Sequence, residues 1–176
     1  MKRSLLSKLS ACLLLAPIAG FAETAKTALN DANIAAIVVA ANNIDIKAGK
    51  LAVMTSANAD VKGLGEMMVR DHEGVNQQAV ALVTKLHVTP EDNDASVQLK
   101  AGAEKTYAGL KAKTGADFDR AYVANEIGYH EAVIGLVETA LIPGAKNAEL
   151  KALLQAVLPA LQAHLAHAKH VQAQLK

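Results

Sequence analysis

From Asp31 to Leu175 the apolar residues of this chain recur in alternating steps of three and four, in four stretches of about seven helical turns each. A stripe with that spacing covers one face of a helix, and such a face must be buried against other helices. Pro90 and Pro143 fall in the breaks, and no stretch alternates as a half-buried strand does. The spacing predicts a first helix from about Asp31 to Thr55, capped by Asn30 or Asp31, and a second from Asn58 to near His87. A shorter helix from about Ala95 to Lys113 stops at Gly115. A third long helix from Ala116 to Leu141 and a fourth from about Ala148 to Leu175 follow. Pro159 lies inside the fourth, where it kinks the helix without ending it, because the apolar spacing continues on both sides.

Four long helices, with a short one in the connection between the second and third, predict an all-α, ferritin-like four-helix bundle with one long crossover. The inward seams are apolar except near their middles. The second helix reads Val61, Gly65, Met68, His72, Val75, Ala79, Leu82 and Leu86; the fourth reads Leu150, Leu154, Val157, Leu161, His164, Ala168, Val171 and Leu175. The third reads Asp119, Val123, Glu126, His130, Val133, Val137 and Ala140, a histidine with a carboxylate one turn before it. The first helix admits two stripes. One, Ile34, Val38, Ala41, Asp45, Ala48 and Ala52, turns Asp45 inward; the other, Ile34, Ile37, Ala41, Ile44, Ala48 and Leu51, is more apolar.

Asp45, His72 and His130 each lie about 14 residues into their helices and His164 about 16, a spread of a few ångströms along an axis rising about 1.5 Å per residue. Mid-helix positions keep their height whichever way a helix runs. His72, His130 and His164, with Asp45 or Glu126, are therefore expected in one layer. Three imidazoles and a carboxylate suit zinc, copper, iron or manganese. The competing reading is a hydrogen-bonded core layer in a structural or interaction module, with Asp45, Glu126, Tyr122 or Tyr129 as partners, and it requires every buried group to be satisfied. A third reading is a metal-dependent oxidoreductase with an open coordination position.

The first 22 residues pair a basic start, "MKRSLLSK", with a short apolar stretch and small residues in "GFA", the pattern of a secretory signal cut after Ala22. "LSAC" resembles a lipoprotein signal at Cys12, but most of the apolar core follows that cysteine, so ordinary cleavage is expected. The expected organisation is a signal peptide over 1–22, a linker over 23–30 and a helical domain over 31–175. Without residues 1–22 the chain has no cysteine and 15 basic against 17 acidic residues, a formal charge of −2. With no basic stripe and no tryptophan, nucleic-acid binding is not expected. No apolar run of about 18 residues remains to span a membrane. Periplasmic residence is the expectation.

"MMVRDH", "GADFDRAYVANEIGYHEAVIGL" and "LPALQAHLAHA" resemble a family of exported bacterial proteins known as domain-of-unknown-function family 4142, often labelled as outer membrane proteins. "DIKAGKLA" at 45–52 resembles its first-helix motif, an acid before a Gly-Lys-Leu-Ala run. The resemblance covers roughly residues 31–172 and implies a ferritin-like fold, with the recurring acid and histidines at Asp45, His72, His130 and His164. It implies outer-membrane association through its label only, and it supplies no activity. The paired Glu-x-x-His motifs of ferritin-like di-iron sites are missing: Glu126 stands four before His130, and Val69 stands three before His72.

Other residues have ordinary readings. Met54, Met67 and Met68 read as core filler. Phe118 and Tyr122 share a core face, with the Tyr122 hydroxyl in reach of the polar layer. Asp119 suits the start of the third helix and Arg120 a surface ion pair. Asp71 reads as a solvated charge, with orientation of a neighbouring histidine as its alternative. His164, His167 and His170 fan over about 120° of helix surface, which points His164 inward and leaves His170 in solvent. No phosphate-binding loop and no nucleophile-base arrangement is present, so nothing demands an enzyme.

Overall fold

In the computed structural model the described residues, 29–175, are helical with no strand among them. The signal peptide, Cys12 and most of the expected linker lie outside these residues. The elements are α1 (Asp31–Thr55), α2 (Ala59–Lys85), α3 (Asp94–Lys111), α4 (Gly115–Leu136) and α5 (Ala148–Gln174). Between α4 and α5 the chain makes a π-helical turn, Val137–Leu141, and a last α-helical turn, Ile142–Gly144.

Asparagine starts four of the five helices, because its side-chain oxygen takes up backbone N–H groups that have no partner in the first turn. Asn30 accepts from Asn33 N at 2.8 Å, and Asn33 Oδ1 accepts in return from Asn30 N. Asn58, Asn93 and Asn147 each cap the N–H groups two and three residues on. Gly115 begins α4 with φ +54°, a left-handed conformation that glycine adopts without strain. α5 runs through Pro159 unbroken.

α1 and α2 form one tight antiparallel pair joined by Ser56–Asn58; α4 packs on α5, and α3 lies against α1 and α4. Gly49 and Gly65 face each other across the first pair, and a Cβ on either would stand 2.8 Å from the carbonyl oxygen of the other. Because α1 meets α2, α3 and α4, it is buried on more than one side. Both of its stripes are therefore largely covered, and Asp45 is 1% exposed.

The core has two apolar halves. One gathers Leu51, Leu64, Met68, Phe118, Tyr122 and Val171; the other gathers Ile37, Val137, Leu141, Leu150, Leu154 and Leu161. On each of α1, α4 and α5 the chain passes from one half to the other through the residues that carry Asp45, His130 and His164, and His72 follows the first half on α2. The polar layer divides the core.

Three local expectations need correction. The π turn inserts one more residue than an α turn, so Leu141 takes the core position expected of Ala140. Met54, near the end of α1, is 73% exposed, and among the described methionines only Met68 is fully buried. Asp119 does more than complement a helix start: it is buried and accepts a 2.6 Å hydrogen bond from Ser56 Oγ, tying the α1–α2 link to α4.

Candidate metal centre

The layer assembles from four helices. His72 on α2, His130 on α4 and His164 on α5 stand with ring centroids 5.3–5.8 Å apart, and all three are buried. Asp45 reaches them from α1, its Oδ2 3.0 Å from His72 Nε2 and 3.5 Å from His130 Nε2. Glu126, one turn before His130, completes a second group with Asp45 and His130. All five residues singled out by spacing meet here.

Hydrogen bonding orients all three rings and fixes the proton position on two of them. His72 lies between two acceptors, with Nδ1 2.7 Å from Asn42 Oδ1 and Nε2 3.0 Å from Asp45 Oδ2. His130 Nδ1 lies 3.0 Å from the Glu126 carbonyl oxygen and donates to it. His164 Nε2 donates to Asp71 Oδ2 at 3.1 Å. His130 Nε2 and His164 Nδ1 are left with lone pairs, and both, like His72 Nε2, are buried without a well-directed hydrogen bond. One donor nitrogen from each ring gathers within 4.8 Å of the others. Both Asp45 oxygens and Glu126 Oε2 also lack a well-directed hydrogen bond, although His72 Nε2 stands 3.0 Å from Asp45 Oδ2 and Glu126 is close enough to share a proton with Asp45.

Burial lowers His130, and the charge of Asp45 does not restore it; burial likewise lowers His164 despite its bond to Asp71. Both imidazoles are held neutral, as a metal ligand must be. Burial pushes Asp45 up, but His72, His130 and Glu126 together outweigh it and set its carboxyl below the ordinary value. Burial, reinforced by the charge of Asp45, raises Glu126 well above its ordinary value. Within the pair, the proton is held on Glu126 in preference to Asp45.

Asn42 escaped the sequence reading. It lies off the Asp45 stripe, but one turn before Asp45 on the covered surface of α1, and a buried amide at that height is the signal that marks it. Asp71 is not simply solvated: it is partly covered, paired with Arg70 at 2.7 Å, and orients His164. Tyr129 donates to the Ala41 carbonyl at 2.8 Å rather than to the layer. The Tyr122 hydroxyl is buried with no hydrogen-bond partner. His167 and His170 stack on the surface of α5, centroids 6.4 Å apart, away from the layer.

A model of one family, described as a domain of unknown function (DUF4142), matches residues 16–171. The chain belongs to this family. No curated protein and no solved structure matches it. For this DUF4142 chain the geometry of the layer carries the functional argument. Replacing Asn42 by leucine should free the His72 ring to turn while leaving every donor atom in place. Orienting partners of this kind contribute about 10–100-fold to metal affinity. A loss of that size is expected in a metal titration, and unchanged affinity would show that Asn42 does not orient His72.

Proposed function

We propose that this protein is an exported, ferritin-like helical bundle that binds one first-row transition metal in its core, through His72, His130, His164 and Asp45. Glu126 stands beside the site as a protonated neighbour able to join it. The single observation behind this reading is the meeting of three buried histidines: each spends one nitrogen on an orienting partner, and each brings a ring nitrogen within 4.8 Å of the other two. That is how metal-binding histidines are held. The spacing fits as well. Two ligands on a tetrahedral ion with bonds of about 2.0–2.1 Å lie about 3.3 Å apart, and Asp45 Oδ2 stands 3.0 and 3.5 Å from its two histidine neighbours.

A purely hydrogen-bonded layer accounts for this arrangement less well. Asp45, His72, Glu126, His130 and His164 hold six buried polar atoms with no hydrogen-bond partner. Each such atom costs about 1–3 kcal/mol while it stays unpaired, and a proton shared between Glu126 and Asp45 relieves only part of the set. A cation shared among them removes most of that cost. Zinc, copper, iron and manganese all accept imidazole and carboxylate ligands. Binding, with a role in metal buffering, sensing or envelope stress, is the proposed activity. Among the described residues no helix is long and apolar enough to cross a membrane.

The test is elemental analysis of the untagged protein recovered from the periplasm, where its mass should show a chain beginning at Glu23. About one metal per chain is expected, absent from a folded His72→Ala/His130→Ala/His164→Ala variant. A wild-type protein that neither carries nor takes up any of the four metals would overturn the reading.

A further inference from the structure

The histidine layer closes one end of an internal chamber. On the side away from Met68 and Phe118, between the pair α1–α2 and the pair α4–α5, lies a cavity of about 100 Å³. Its polar lining comes from the residues of the layer, their orienting partners Asn42 and Asp71, and Tyr129. Its remaining walls are aliphatic, with Ile37, Val133, Val137, Leu141, Leu154 and Val157 among them. The walls come from helices that depart from regular α geometry at this height. Val137 and Leu141 begin and end the π-helical turn, and Val157 and Leu161 flank Pro159, which removes a backbone hydrogen bond from α5. π turns are rare, and inside α-helices they occur often at functional sites. The chamber is not sealed: Val75, Val133 and Val157 are half-buried and Ala160, at its edge, is exposed.

Size and chemistry narrow the occupant. An apolar cavity of about 150 Å³ stays dry and takes up benzene or xenon, so a chamber of about 100 Å³ holds a molecule of only a few non-hydrogen atoms. Aliphatic walls exclude a charged molecule, which would lose its hydration without compensation. Asp45 and Asp71 at the polar end further disfavour an anion.

We propose that the chamber binds a small uncharged apolar molecule, of the size class of dioxygen, and holds it against the histidine layer. On the metal reading above, on which this last step rests, that molecule stands beside the ion. A route of this kind would let the protein sense or carry such a molecule without admitting charged solutes.

Xenon is the probe, because it fills apolar cavities without coordinating a metal. The protein purified from cells expressing the full chain, stripped of metal with a chelator, is followed by methyl NMR under increasing xenon pressure. Saturable shifts confined to the methyls of Val133, Val137, Leu141, Leu154 and Val157 are expected. They should vanish in Val157→Phe, whose ring fills the chamber, and weaken in the gentler Val75→Leu, which narrows it. No saturable shift in the wild type, or equal shifts in a folded variant of either kind, would overturn the proposal. Metal content is measured separately on the same preparation before stripping. Xenon binding with no metal would sink the metal reading and leave the chamber, whereas metal without xenon binding would do the reverse.

Discussion

On the metal reading, saturation with a transition metal should raise the melting temperature of this protein by about 8–16 °C, and the rise should be lost when His72, His130 and His164 are all alanine. The figure follows from mass action. A ligand that binds only the folded state, at about 1,000 times its dissociation constant, adds about 4.1 kcal/mol. For a chain of this size each kcal/mol is worth about 2–4 °C. The folded state is favoured strongly because the site is preformed: three rings are oriented by Asn42, the Glu126 carbonyl and Asp71 before any ion arrives. Asp45→Asn should keep part of the rise, since an amide oxygen can still face the ion but brings no charge. Differential scanning fluorimetry of chelator-treated protein, titrated with zinc, copper, iron(II) or manganese, makes the measurement. A melting temperature indifferent to all four in the wild type would leave the six orphaned atoms of the layer unexplained and would turn attention to the chamber alone.

Much of this layer was legible because a histidine in an otherwise apolar stripe is conspicuous. His72, His130 and His164 each interrupt such a stripe at its middle, and equal depth in long helices puts equal heights together. Helix ends were legible for a similar local reason, since asparagine caps mark them. Asp45 was ambiguous because α1 packs on three neighbours, and a helix covered on several sides has no single stripe. The orienting partners were harder still. Asn42 and Asp71 sit off the expected seams, and their value depends on the rotation of a ring on another helix. The π turn shifts the core position from Ala140 to Leu141 by one residue, a change that apolar spacing cannot separate from an ordinary step of four. The chamber is a property of four helices at once, and no single stripe encodes it.

The close approach of α1 and α2 was equally hidden, and it carries the second large effect. Gly65→Ala is expected to destabilise the protein by about 2 kcal/mol, within the range for overpacked cores, and to lower its melting temperature by about 4–8 °C. The new Cβ would stand 2.8 Å from the Gly49 carbonyl oxygen, 3.1 Å from Ala52 Cβ and 3.3 Å from Val53 Cγ2. The first two atoms are fixed to the α1 backbone, so the helices themselves must part. Gly63 provides the control on the same helix: a Cβ there meets nothing within 4 Å. Gly63→Ala should therefore show only the better helix propensity of alanine, a gain of up to about 1 kcal/mol. Opposite signs at two glycines two positions apart would establish that contact, not conformational freedom, decides. Equal gains at both would refute it. Gly49→Ala should cost a similar amount, and the double variant less than the sum, because one substitution already separates the pair. The same separation reaches the metal layer. Gly49 lies one turn beyond Asp45 and Gly65 two turns before His72, so parting α1 from α2 lengthens the 3.0 Å approach of Asp45 to His72. Gly65→Ala should weaken metal binding as well as stability, although it touches no ligand, and Gly63→Ala should leave both the site and its metal unchanged.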